Sequence, residues 1–141
     1  MINFNYETDF KIDNESAFLD WISRVIISEK CIEGNISYIF CDDEYLHNIN
    51  VEYLNHDDLT DIISFDYSTG KILSGDIFIS IERVKDNAKD FNVEFFEELK
   101  RVIIHGVLHY CGYKDKADSD ALLMRQKEDE KIKLFHVEHN S

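Results

Sequence analysis

The stretch from Phe95 to Gly112 constrains the fold more than any other part of this sequence. Phe95, Phe96, Leu99, Val102, Ile103, Val107 and Leu108 recur at three- and four-residue spacing, which predicts a helix with a broad apolar face over roughly residues 94–112. Such a helix must bury that face, so the chain needs a sheet or further helices packed around it. Gly112 follows the periodic run and predicts a left-handed stop. Gly106 lies inside the helix, where glycine costs about 1 kcal/mol against alanine, and predicts close packing or close approach at that point.

The other patterns mix strand and helix signals. Residues 15–29 place Phe18, Leu19, Ile22, Val25 and Ile26 at helical spacing, with Asp13 or Asn14 as cap and Trp21 at a core position. Ile36 to Phe40 is a short β-branched and aromatic strand, and residues 43–54 read as an amphipathic helix carrying Leu46, Ile49, Asn50 and Tyr53. Ile62–Phe65 and Asp76–Ser80 read as strands, with a turn signal at residues 68–71 between them. A short helix over 82–91 and a last helix over about 118–137, with Leu122, Leu123, Ile132, Leu134 and Phe135, complete the pattern. Strands lying among helices predict an α/β (α+β) class: a single compact domain spanning residues 1–141. It has a small mixed β-sheet of about four strands and about five helices, with the 94–112 helix central.

Composition limits the partners. Eighteen aromatic residues in 141 supply a core and exclude global disorder. The formal charge of −14 opposes nucleic acid and anionic membranes on average, but it is unevenly spread. Residues 1–66 hold 15 acidic and three basic side chains, whereas residues 67–141 hold 14 and 12. Cys31, Cys41 and Cys111 are odd in number and widely spaced, which predicts reduced, partly buried thiols, not a disulfide framework or a cysteine metal site. The first residues lack a signal-peptide pattern and no apolar run reaches 18 residues, so the expectation is a soluble cytoplasmic protein with no membrane partner.

The chemistry concentrates on the central helix. His105 and His109 are four apart, so both imidazoles lie on one face and can share a cation. Gly112 lets the chain fold back, and Asp115 can then reach the same ion. Two imidazoles, one carboxylate and an open position make a catalytic-type zinc site, and the same set also suits Fe(II). Gly106 occupies the position where a zincin protease carries its glutamate, so a helix-borne general base of that type is missing, which speaks against ordinary zincin proteolysis. Thr60, Asp61, Ser64 and Asp76 sit at strand ends, where polar residues can line a cleft. His47, His56, His136 and His139 read as solvated, and Cys111 as a packing residue.

These residues resemble a known family. His105-Gly-Val-Leu-His109-x-x-Gly112-Tyr113, followed by a third ligand, resembles the signature of the YbeY proteins, zinc-dependent single-strand endoribonucleases of ribosomal RNA maturation. Thr60-Asp61-Ile-Ile-Ser64-Phe65, Gly75-Asp76-Ile-Phe-Ile-Ser80 and Met124-Arg125-x-x-Glu128 are similar to three further family segments in the same order, over about residues 35–135. The resemblance implies metal ligands and catalytic residues at His105, His109 and Asp115, with one Zn2+ per chain. It implies ribosomal RNA as substrate, including processing of the 16S rRNA 3′ end, a role in ribosome quality control, and no DNA partner. Delivery by the ribosome, a ribosomal protein or a GTPase fits the acidic N-terminal half.

Two positions depart from the family pattern. Asp115 stands where the common form has a third histidine, and Leu54 stands where an arginine is frequent. Thr60, Ser64, Asp76, Arg101, Lys114 and Lys116 are the candidate substrate contacts. A metal-dependent hydrolase of another substrate, or a non-catalytic ribosome-biogenesis factor, remains the alternative reading at this point.

Overall fold

Two periodicities account for the elements. Residues alternating in burial form β1 (Ile2–Tyr6), β2 (Ile32–Cys41), β3 (Ile62–Asp66) and β4 (Ile72–Ser80). Helical spacing forms α1 (Glu15–Ser28), α2 (Asp43–Leu54), α3 (Ile81–Phe91), α4 (Phe95–Tyr110) and α5 (Asp118–His139). The computed structural model describes residues 1–54 and 60–139. Residues 55–59, with His56 and Leu59, residues 140–141, and the side chains of 136–139, with His136 and His139, lie outside the described residues.

The sheet runs in the order β1-β2-β4-β3, with β1, β2 and β4 parallel and β3 antiparallel at one edge. Ile36, Tyr38 and Phe40 of β2 and Ile77 and Ile79 of β4 point into the main core, where they join Trp21, Ile22, Leu99, Ile103 and Phe135 from the helices. The opposite face carries a smaller cluster of Cys41, Leu46 and Ile63 under α2. Tyr38 donates to the Ile103 carbonyl at 2.9 Å and ties β2 to α4. Trp21 is fully buried and donates through its indole nitrogen to the Lys131 carbonyl at 2.8 Å, joining α1 to α5. Among the described residues, no helix is long and apolar enough to cross a membrane.

The α/β class, the mixed four-stranded sheet and the five helices match the expectation. Four details differ. β1 was not expected, although Ile2-Asn3-Phe4-Asn5-Tyr6 carries the two-residue period of a half-buried strand. Asn14 caps α1 without a side-chain hydrogen bond. On α5, Leu122 and Leu123 are exposed, and the inward face is Met124, Glu128, Lys131, Ile132 and Phe135. Ion pairs let two charged residues take that face, which an apolar count alone does not see. His47 is half-buried on α2, not solvated.

Candidate metal centre

Helix α4 is flanked by α3 and α5 and packs over β3 and β4. It is buried nearly all round. Between Glu98 and Tyr110 only Arg101, His105 and His109 keep partial exposure, and their four-residue spacing makes one open stripe. Gly106 lets the helix settle this close to the sheet: a Cβ there would lie 2.9 Å from Ile77 Cδ1 and 3.3 Å from Ile62 Cδ1. The stripe therefore meets the end of β3 and faces a cleft of about 480 Å³.

The helix ends as the sequence predicts. Gly112 has φ +106°, its amide donates to the His109 carbonyl at 3.0 Å, and Tyr113 donates to the Leu108 carbonyl at 3.1 Å. This is a Schellman closure. It reverses the chain and brings Asp115 back beside the two imidazoles. Asp115 Oδ2 lies 3.1 Å from His105 Nε2 and 3.2 Å from His109 Nε2, and the two Nε2 atoms are 3.0 Å apart.

The proton positions on the rings follow from their other partners. His109 Nδ1 is 2.9 Å from the Tyr113 carbonyl oxygen, which can only accept, so Nδ1 carries the hydrogen. His105 Nδ1 is 2.6 Å from Glu128 Oε2 and donates to that buried carboxylate. In the neutral rings both Nε2 atoms thus present lone pairs, and Asp115 adds a third acceptor. Three acceptors at such distances repel one another unless a cation lies between them. Ligand bonds of about 2.0–2.2 Å to a tetrahedral ion place neighbouring donor atoms about 3.4 Å apart, close to the spacing found. His105, His109 and Asp115 are the only such group among the described residues, and they fit a divalent metal with a side open to the cleft.

Further charged groups surround the three donors. Arg101 donates to Glu128 at 2.9 Å and to Asp129 at 2.7 Å, so a continuous chain runs from Arg101 through Glu128 to His105. Burial works against a charged His105, but the hydrogen bond and charge of Glu128, with Asp115 and Asp61, hold its pKa above the ordinary imidazole value. Burial raises the pKa of Asp61, with Glu128 adding to it, against its own backbone amide, His105 and Asn87. Glu98 is raised by burial and by Asp61, against Arg101 and Arg125. Tyr113 is anchored in turn, since its hydroxyl donates to Glu29 at 2.7 Å.

Of the residues singled out from sequence, Thr60, Ser64, Arg101, His105, His109 and Asp115 line the cleft. Asp76 does not. It pairs with Phe65, one residue on from the Ser64–Ile77 pair, so the pleat turns it to the opposite face, where it lines a separate hollow with Tyr53 and Phe78. Lys114 and Lys116 alternate with Asp115 and point outward into solvent, outside the cleft. Leu54 ends α2 and is also absent from the cleft lining. Asp61, expected at a cleft wall, lines it too, whereas Asn87, Phe91, Glu98, Arg125 and Glu128 line it without having been given a cleft role from sequence. Glu128 was legible: it falls in register with Met124 and Phe135 on the buried face of α5.

Comparison with known proteins agrees with this geometry. The solution structure of TM1509 from Thermotoga maritima shares the fold, with a TM-score of 0.70 over 99% of this chain and 92% of that one, at 22% identity. Proteins named endoribonuclease YbeY are similar throughout. That of Flavobacterium johnsoniae is 75% identical over 98% of this chain and 99% of its own length, and that of Flavobacterium psychrophilum is 68% identical over 99% and 100%. That of Christiangramia forsetii is 61% identical over 97% and 96%. The family model described as endoribonuclease YbeY matches residues 2–136, and the chain belongs to that family.

Proposed function

We propose that this chain is a single-strand-specific endoribonuclease of ribosomal RNA maturation that uses one zinc ion held by His105, His109 and Asp115. The observation that carries the reading is the set of three hydrogen-free acceptor atoms, 3.0–3.2 Å apart, at the wall of a polar cleft. Relatives named endoribonuclease at up to 75% identity supply the substrate class.

When bound, zinc supplies hydroxide at neutral pH and Lewis acidity toward a phosphoryl oxygen. The chain's own groups do the rest. Glu128 and the Tyr113 carbonyl fix the two rings with their Nε2 lone pairs turned to the cleft. Asp61 stands in the same cleft with a carboxyl that burial disposes to hold a proton, and it can pass that proton to the leaving oxygen. Thr60 and Ser64 offer hydroxyls along the wall. Arg101 already satisfies Glu128 and Asp129, so its part is to position Glu128 and not to grip phosphate. The carboxylates of Asp115 and Glu128 offset the charges of Arg101 and Arg125, so the metal-free cleft carries no surplus of positive charge. RNA binding therefore depends on the cation.

Action in the cytoplasm suits the free thiols of Cys31, Cys41 and Cys111. The strongly acidic N-terminal half suits delivery by a basic ribosomal protein or by a GTPase on the ribosome. The test is cleavage of end-labelled single- and double-stranded RNA by zinc-loaded wild type and His109→Ala. The expected result is cleavage of the single strand by wild type alone. A His109→Ala protein that is metal-free and cuts at the wild-type rate overturns the reading.

A further inference from the structure

The cleft does not end at the metal ligands. A second hollow of about 330 Å³, lined by Phe91, Val93, Glu97, Glu98, Arg101 and Arg125, shares four of those residues with the cleft, so the two form one continuous depression. Its size lies within the range of ligand sites, about 300–1,000 Å³.

We propose that this hollow is a subsite for one unpaired RNA nucleotide next to the cleavage position, its base stacked on Phe91 and its phosphate held by Arg125. The proposal rests on the endoribonuclease reading and deepens it.

The backbone of Phe91 is held in place and its side chain is open to solvent. It is the last residue of α3, and the helix closes behind it through Asn92 in the left-handed region, with amide hydrogen bonds from Asn92 to the Lys89 carbonyl and from Val93 to the Ala88 carbonyl. The side chain is 55% exposed, and among the described residues its ring packs on no other ring, although this chain is rich in ring pairs. An exposed aromatic side chain on an anchored helix end beside a cleavage site is a stacking platform of the kind that binds single strands without regard to sequence.

Arg125 supplies the charge. The other guanidinium of the depression, that of Arg101, is bound by two carboxylates. Arg125, one turn before Glu128 on α5, is exposed and forms no ion pair among the described residues. A guanidinium in that state matches a phosphodiester oxygen pair. Glu97 and Glu98 line the same hollow and repel phosphate, and the charge of Arg125 works against that of Glu98. An exposed phenylalanine is ordinary on its own. Phe91 differs in standing at an anchored helix end, in the same hollow as a guanidinium without an ion pair among the described residues, and that hollow is continuous with the metal cleft.

The experiment measures binding of a fluorescent 2′-O-methyl single-stranded oligonucleotide to the zinc-loaded protein by anisotropy, across a salt series. Phe91→Ala is expected to weaken binding about fivefold or more, and Phe91→Trp to restore it. Arg125→Ala is expected to weaken binding and lower the slope of log K against log salt by about 0.7, while Arg125→Lys keeps the slope. Zinc content stays at the wild-type level in all four, since none touches the ligands. Phe91→Ala and Arg125→Ala that both bind within about twofold of wild type, with unchanged slope, overturn the subsite. Cleavage of unmodified RNA by wild type is scored separately. If wild type cleaves while both variants bind normally, the subsite alone is refuted; if wild type never cleaves, the nuclease reading is refuted.

Discussion

Glu128→Gln separates the geometric account of the metal centre most sharply from a looser one. Glu128 is 4% exposed and makes two charge-assisted hydrogen bonds, accepting from His105 Nδ1 at 2.6 Å and from Arg101 at 2.9 Å. Glutamine keeps the volume but has one acceptor oxygen in place of two. Its amide group must then point its own hydrogens at a donor, either the imidazole N–H or the guanidinium. A hydrogen bond to a charged group is worth about 1.5–3 kcal/mol. At about 1.4 kcal/mol per factor of ten, losing the one that holds His105 weakens zinc binding by about 10- to 100-fold. The assay is competition against a chromophoric chelator at neutral pH, with Glu130→Gln as control. Glu130 pairs with Lys127 and Lys131 and does not touch His105, so that variant should bind zinc within about twofold of wild type. If Glu128→Gln also binds zinc as wild type does, the Arg101–Glu128–His105 chain does not orient the ligand and the argument fails.

Four other outcomes are expected. Trp21→Ala removes a fully buried indole and its bond to the Lys131 carbonyl, and should cost about 3–5 kcal/mol in urea unfolding; a loss under about 1 kcal/mol would contradict the packing described. Glu29 is held below its ordinary pKa because Lys131 and Tyr113 outweigh the effect of burial, and Asp43 is held low by Arg83. Both carboxylates have depressed folded-state values, so their stabilisation is complete above about pH 4–4.5 and is lost as pH falls through those values. Unfolding measured between about pH 5 and 2 should show a shallower acid limb in a Glu29→Gln/Asp43→Asn protein than in wild type. Chelation should leave the fold intact by circular dichroism and abolish RNA binding, because Asp115 and Glu128 offset Arg101 and Arg125 and leave the metal-free cleft no surplus of positive charge; unchanged RNA affinity without metal would refute this. Asp61→Asn should retain zinc and RNA and lose the basic limb of the pH–rate profile, and an unaltered profile would remove Asp61 as proton donor.

Much of the site was legible because one helix carries it. The spacing of His105 and His109 and the stop at Gly112 are local signals, and local signals determine both the shared face and the chain reversal that returns Asp115. The approach of α4 to the sheet was visible in Gly106. What the sequence did not disclose depends on tertiary register. Asp76 and Ser64 looked equivalent as polar strand residues, yet the β3–β4 pairing sends them to opposite faces. Lys114 and Lys116 are adjacent to Asp115 in sequence, but both are exposed where Asp115 is half-buried, and neither lines the cleft. Arg101 lines the cleft as expected, yet its charge is engaged by α5, a contact 27 residues away. Lys131 was hidden by its polarity, and Glu128 was legible only through its register with Met124 and Phe135, since a buried face is normally sought among apolar residues. Their ion pairs with Arg101 and Glu29 make that burial tolerable.

The central claim is that His105, His109 and Asp115 hold the ion on which RNA cleavage depends. Elemental analysis of purified wild type and Asp115→Ala, paired with single-strand cleavage by the same samples, tests it most directly. The account predicts one zinc per chain and cleavage for wild type, with zinc and cleavage falling together in Asp115→Ala. An Asp115→Ala protein with a full equivalent of zinc and wild-type cleavage would contradict it.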